Sequence, residues 1–155
     1  MMTALLILHG LFAVALIGSV SHQAIAATFK YSGIRTRPSL ARLRASDPFI
    51  YSSPVAILFL VVAIMGAILY PQYRLTVRPF VQSMDLRAAN GAFELKEHFS
   101  ALGVLMLPAY WTVWRQSRDK EDQTARLWLT WLMAGFVWWN FIAGQLLVAI
   151  RGLFA

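Results

Sequence analysis

A short polar stretch in front of an apolar run contains the residue types most able to do chemistry. Residues 93–108 read FELKEHFSALGVLMLP, and within them Glu94 stands four positions before His98. On a helix this spacing puts both side chains on one face, so that the carboxylate can reach the imidazole. A carboxylate behind a histidine fixes its tautomer and increases its basicity, which is typical of a metal-ligating or proton-handling ring. The alternative is a plain helix start, because the N-terminal end of a helix favours acidic residues.

Two more histidines could take part in the same site. His9 falls inside the first apolar run, and His22 lies near the end of that run. Alternate spans of a bundle run in the same direction, so the N-terminal ends of the first and third runs reach the same membrane surface. We therefore expect His9 and His98 to approach each other, as ligands of haem iron or as proton donors. The alternative for each ring is a hydrogen bond to a neighbouring helix, and this is the better interpretation of His22.

The last apolar run contributes large aromatic and amide side chains. Trp138, Trp139 and Asn140 lie too deep in this run to belong to an interfacial belt. One interpretation is that Trp139 and Asn140 line the wall of a flat aromatic ligand such as a porphyrin or a quinone. The other is helix packing, with Asn140 hydrogen-bonded across the bundle.

The composition indicates a membrane protein. Hydrophobic residues make up 59% of the 155 residues and charged residues only 14%, whereas soluble domains carry about 25% charged residues. The chain has no cysteine, which excludes disulfides, iron–sulfur clusters and thiol catalysis. A di-iron Glu-x-x-His pattern is also excluded at His98, because the residue three positions earlier is Leu95.

Four apolar runs predict an all-α integral membrane four-helix bundle that forms a single domain over residues 1–155. In this prediction Tyr70 and Pro71 close the second span, because proline cannot donate a backbone hydrogen bond. A long second loop follows, with a short surface helix over residues 85–89. The expected spans are residues 4–27, 54–70, 92–114 and 127–150.

The distribution of basic residues predicts the direction of the spans. Loops 28–53 and 115–126 carry nine of the 14 lysines and arginines, against five elsewhere. Since positive loops stay in the cytoplasm, both termini are expected in the periplasm of a bacterial inner membrane. The net charge of +7 then reflects topology and contact with anionic lipid, and no nucleic-acid partner is expected.

A small four-span membrane protein with histidines near the span ends resembles the cytochrome b561 and superoxide oxidase group. It also resembles the membrane-anchor subunits of respiratory dehydrogenases. The segments HGLFAVALIGSVSHQ and LKEHFSALG further resemble parts of an uncharacterised bacterial membrane family. The resemblance to the cytochromes implies b haem held by two histidines, and electron transfer with quinone. The fourth span has no histidine, unlike that group, so one pair is available here, His9 with His98.

These observations predict a membrane subunit of a bacterial electron-transfer system, in a respiratory or photosynthetic complex. It would bind b haem or quinone near the outer surface through His9, His98, Glu94, Trp139 and Asn140, with lipid and other subunits as its partners. The alternative is a cofactor-free structural or assembly subunit of a larger membrane complex.

Overall fold

The computed structural model describes residues 2–31, 46–115 and 122–153, with side chains described as far as residue 149. Most of the basic residues of the two loops predicted to be cytoplasmic lie outside these ranges. The described residues are almost entirely helical, which confirms the all-α class.

Four long helices form in the described residues, in agreement with the number predicted. A short 3-10 helix, Pro48–Tyr51, leads into the second of them. In chain order the helices are α1 (Met2–Tyr31), α2 (Ser52–Ser83), α3 (Arg87–Arg115) and α4 (Gln123–Leu153). Among the described residues three segments are long and apolar enough to cross a membrane: α1, α2 with its 3-10 helix, and α4. The helix α3 is less apolar because its first turns are polar.

The helices form a closed ring in which each packs on the next, and α4 returns to α1. Neighbours run antiparallel, since Trp131 of α4 bonds to Thr28 of α1, while Trp138 bonds to Ser21. One buried cluster fills the half of the bundle nearest the α1–α2 connection. Its members are Leu16, Val20, Ala24, Ala27, Val55, Phe59, Tyr110, Trp114, Met133, Ala134 and Val137. In this core the ring of Phe59 lies directly on Gly103, where a β-carbon would clash.

The helix α2 does not stop at Tyr70 and Pro71, as the sequence predicted, but continues through Pro71 and Pro79 to Ser83. Each proline leaves the carbonyl four residues earlier without its helical partner. Those carbonyls belong to Ala67 and Leu75, which are both exposed, so the lost bonds do not fall in the packed interior. The prediction was wrong because it treated proline as a stop rather than as the loss of one bond.

The link between α2 and α3 is a tight turn, and the predicted long loop and separate surface helix were wrong. The turn is closed by backbone bonds from Leu86 N to Val81 O at 3.1 Å and from Asp85 N to Gln82 O at 3.0 Å. Asp85 adopts a positive φ of 52°, which aspartate tolerates better than most residues. Arg87 then begins α3 directly, so the polar residues before residue 92 belong to that helix.

Candidate ligand site in the helix bundle

Lys96 occupies the interior side of α3 near the end of the bundle formed by the α2–α3 turn. Its side chain is half-buried, and its Cε lies 3.8 Å from the position that a β-carbon on Gly144 of α4 would occupy. The Lys96 ammonium lies 5.6 Å from the ring centroid of Phe93, within the distance of a cation–π contact. The lysine chain therefore reaches α4 and contacts it at Gly144.

His9 of α1 lies close enough to Lys96 for their charges to interact. Its ring also packs on α2, where a β-carbon on Gly66 would lie 3.5 Å from His9 Cε1. The His9 Nδ1 atom is buried and has no hydrogen-bond partner among the described residues. The Lys96 ammonium of α3 and the His9 ring of α1, whose Nδ1 lacks a described hydrogen-bond partner, therefore lie in the same part of the bundle.

One aromatic ring of α2 and one of α3 lie next to Lys96. Tyr73 stacks on Phe93 with 3.7 Å between ring centroids and 13° between planes. The Tyr73 hydroxyl is buried, and within the described ranges it too lacks a hydrogen-bond partner. We call the four residues His9, Tyr73, Phe93 and Lys96 the Lys96 cluster.

A second polar layer lies one helical turn further into the bundle. Ser100 of α3 donates to Asn140 Oδ1 of α4 at 2.9 Å, and Asn140 donates to the Phe136 carbonyl at 2.7 Å. The predicted hydrogen bond of Asn140 across the bundle is confirmed. Beside it, Trp139 meets Phe99 edge-on with 6.1 Å between centroids, and its buried Nε1 finds no acceptor in the described part of the chain.

Glu94 and His98 are arranged differently from the sequence prediction. The His98 ring is exposed, and its Nδ1 lies 2.7 Å from the backbone oxygen of Glu94 rather than from the carboxylate. The carboxylate instead accepts from Asn90 Nδ2 at 3.1 Å and pairs with Arg78 of α2 at 3.4 Å. These two donors lie on the other side of Glu94 and draw its side chain away from the imidazole.

Sequence reasoning did not identify Lys96 as a candidate site residue. A signal was present in the last helix, where Gly144 stands four residues after Asn140 and therefore on the same face. The matching spacing on α3 is that of Lys96 and Ser100. The two pairs face each other, because an Asn140–Ser100 bond in an antiparallel pair brings Gly144 against Lys96.

The opposite end of the bundle holds a second polar group, which we call the Arg126 cluster: Gln23, Tyr110, Trp114, Arg126 and Thr130. All five side chains are buried. The Tyr110 hydroxyl donates to Gln23 Oε1, and Gln23 Nε2 donates to the Pro48 carbonyl at 3.1 Å.

Arg126 closes this cluster. Its Nε donates to the Val113 carbonyl at 3.0 Å, and its guanidinium lies 5.1 Å from the ring centroid of Phe49. A carboxylate oxygen of Asp122 lies 3.8 Å from its Nη2. Trp114 Nε1 donates to Thr130 Oγ1 at 3.1 Å.

His22 lies near the Arg126 cluster, away from His9. Its ring stacks on Tyr51 with 4.7 Å between centroids, and its Nε2 is buried without a partner among the residues described. Within the described ranges no group of three or more His, Cys, Asp or Glu side chains is placed to hold a metal ion.

Comparison of the chain with protein-family models, with curated proteins and with solved structures gave no match.

Proposed function

We propose that the chain is an integral membrane subunit of a bacterial electron-transfer system and that its bundle binds a quinone at the Lys96 cluster. The observation that carries this proposal is the set of unsatisfied polar groups around Lys96. In the described residues His9 Nδ1, the Tyr73 hydroxyl and Trp139 Nε1 are all buried without a partner. Each such group costs about 1–3 kcal/mol, and a quinone carbonyl is the kind of acceptor that these donors lack.

The outer surface supports a membrane location for all four helices. A large apolar side chain is strongly exposed on each: Leu11 at 62%, Ile57 at 59%, Leu105 at 75% and Val148 at 62%. Soluble monomers rarely expose such surface continuously. The helices have 29 to 32 residues, which gives each about 45 Å, enough to cross a hydrocarbon core of about 30 Å. We infer four passes with periplasmic termini, so that the Lys96 cluster lies near the periplasmic surface.

The chemistry of the Lys96 cluster suits a quinone head. The Lys96 ammonium and the His9 ring would donate hydrogen bonds to a ring oxygen, and Trp139 would donate from the deeper layer. The stacked rings of Tyr73 and Phe93 would form an apolar wall beside the quinone ring. A bound quinone would supply the electron-accepting group, while His9 and Lys96 would hold protons beside its oxygens.

A haem held between His9 and His98 fits the structure less well. Such a site needs two rings that face each other across a gap, whereas His98 lies on the exposed side of α3 and His9 packs on Gly66 of α2. One feature of His98 suits a ligand, because the Glu94 carbonyl engages its Nδ1 and leaves Nε2 as the ring nitrogen that could bind a metal. A visible spectrum of the oxidised and reduced protein tests this second candidate, which requires a Soret band.

The experiment for the quinone proposal is a thermal titration of the purified protein in detergent. A ligand that binds only the folded state stabilises it by about 2.7 kcal/mol at 100 times its dissociation constant. A short-chain quinone should therefore raise the melting temperature of the wild-type protein in proportion to the logarithm of its concentration.

Two neighbouring tryptophans provide the matched control. Trp139→Phe removes the buried indole N–H that has no acceptor among the described residues, so the quinone-induced shift should decrease. Trp138→Phe removes an indole that already donates to Ser21 at 2.9 Å and should leave the shift unchanged. In the same way His9→Gln should reduce the shift, and His22→Gln should not.

Two results would contradict the proposal. One is a wild-type protein whose melting temperature does not respond to any quinone. The other is a shift that Trp138→Phe reduces as much as Trp139→Phe. Either result would favour the alternative, a cofactor-free structural or assembly subunit whose lipid-facing helices pack on a larger membrane complex.

A further inference from the structure

Among the described basic side chains that are not exposed, Lys96 is distinguished by forming no salt bridge with a carboxylate. In the described part of the chain three basic side chains are not exposed: Arg78, Lys96 and Arg126. Arg78 pairs with Glu94 at 3.4 Å, and Arg126 lies 3.8 Å from Asp122. Lys96 forms no salt bridge in these ranges, and its favourable neighbours are the face of Phe93 and, beyond salt-bridge distance, the charge of Glu97.

The adjacent Glu97 does not fill this role. Consecutive residues on a helix point about 100° apart, and no oxygen of Glu97 lies within salt-bridge distance of Lys96 among the described contacts. The charge of Glu97 interacts with Lys96 and also with the neighbouring Arg78 and Arg74, so it is shared among several cations and forms no salt bridge with Lys96 in these ranges. A half-buried ammonium therefore has an apolar ring on one side and the unsatisfied His9 on another.

We propose that Lys96 makes the site selective for a quinone whose head carries an ionised hydroxyl group, an oxyanion on the ring, over neutral quinones. This inference rests on the proposed function and specifies its ligand class. Burial of one charge without a partner is costly, whereas an oxyanion bound beside the ammonium completes an ion pair. A hydrogen bond between charged groups is roughly twice as strong as a neutral one, so the ionised ligand gains more from Lys96 than a neutral carbonyl does.

A pair of probes that share one ring system and differ in charge tests this selectivity. Hydroxynaphthoquinone is an acid that is anionic at neutral pH, and its methyl ether has the same ring system without the charge. Each is titrated into the wild-type protein in a neutral detergent, with binding followed by quenching of tryptophan fluorescence. We expect the anion to bind about 10- to 100-fold more tightly than the ether, the range that a charged hydrogen bond provides.

Variants at Lys96 locate the source of the preference. Lys96→Met should bind both probes with similar affinity, and Lys96→Arg should keep the preference because the charge remains. The control is Arg74→Met, which removes an exposed cation of α2 at the same end of the bundle. Arg74→Met should keep the preference, which excludes a general attraction between a basic protein and an anion.

Failure of the inference is distinguishable from failure of the proposed function. A wild-type protein that binds neither probe contradicts both. A wild-type protein that binds both probes equally keeps the quinone site and overturns the selectivity, whether or not any variant folds. A preference that survives in Lys96→Met, or that disappears when phosphatidylglycerol replaces phosphatidylcholine in mixed micelles, also overturns it. The last result would mean that an anionic lipid headgroup occupies Lys96.

Discussion

The Arg126 cluster and the Lys96 cluster, at opposite ends of the bundle, are built from similar parts and differ in how completely their own members are paired. In the Arg126 cluster a buried cation lies over the ring of Phe49, donates to the Val113 carbonyl and has Asp122 nearby. In the Lys96 cluster a half-buried cation also lies over an aromatic ring, that of Phe93. Its neighbours His9 and Tyr73, however, keep buried polar atoms that no described residue satisfies.

This difference separates a structural role from a binding role. A polar network whose members are satisfied rigidifies a core, while a network that is only partly satisfied destabilises it. The Arg126 cluster joins the α1–α2 connection to α3 and α4, and it needs no ligand to be stable. The Lys96 cluster would gain stability from a ligand, so mutations in the two clusters should have opposite effects.

The largest effect is expected at Arg126. Arg126→Met removes the bond to Val113 and the cation–π contacts to Phe49 and Trp114, and it should reduce the free energy of unfolding by about 2–4 kcal/mol. Thermal denaturation in detergent measures this as a lower melting temperature. An unchanged melting temperature would mean that the Arg126 cluster contributes no stability, and the contrast between the two ends would fail.

A smaller loss is expected at Asn140. Asn140→Leu breaks the hydrogen bond from Ser100 and should cost about 0.6–2 kcal/mol, the range for polar contacts between membrane helices. The double variant with Ser100→Ala should be less destabilised than the sum of the two single variants, because both remove the same bond. A melting temperature that rises in Asn140→Leu would contradict this interhelical contact.

The smallest effect, and one of opposite sign, is expected at Lys96. Lys96→Met replaces a half-buried ammonium that has no carboxylate partner among the described residues by an apolar chain of similar shape. In the absence of ligand the melting temperature should stay the same or rise slightly, since replacing a poorly paired buried charge by an apolar group is often neutral or stabilising. A decrease as large as that in Arg126→Met would show that Lys96 is structural.

Helix number and class could be predicted from the sequence, because apolar runs of this length have few other stable conformations. The end of α2 could not be predicted. The energetic cost of Pro71 depends on whether the carbonyl that loses its helical hydrogen bond lies inside or outside the packed core. The Asn140 hydrogen bond was predictable because an amide deep in an apolar helix needs a partner. The position of Lys96 was not predictable, because the side chain contacts a different helix at Gly144, 48 residues further along the chain.

The prediction that the Glu94 carboxylate contacts His98 was wrong for a similar reason, because the partner of this carboxylate also depends on a contact between helices. The spacing of Glu94 and His98 correctly places them on one helix face. The Glu94 carboxylate, however, can accept from other nearby donors, and these compete with His98. Asn90 stands one turn earlier, and Arg78 comes from α2 through the tight α2–α3 turn. Because the sequence predicted a long loop between α2 and α3, a contact between Arg78 and Glu94 was not expected. The role of His98 as a ligand stays a prediction.

The most direct test of the Lys96 cluster as a ligand site is photolabelling with an azide-bearing quinone, followed by mass spectrometry of the labelled peptides. We predict labels within residues 93–100 of α3 and 139–147 of α4, and we expect an excess of unlabelled quinone to prevent them. Labels confined to the half of the bundle around the Arg126 cluster, or labels that unlabelled quinone does not prevent, would contradict the account.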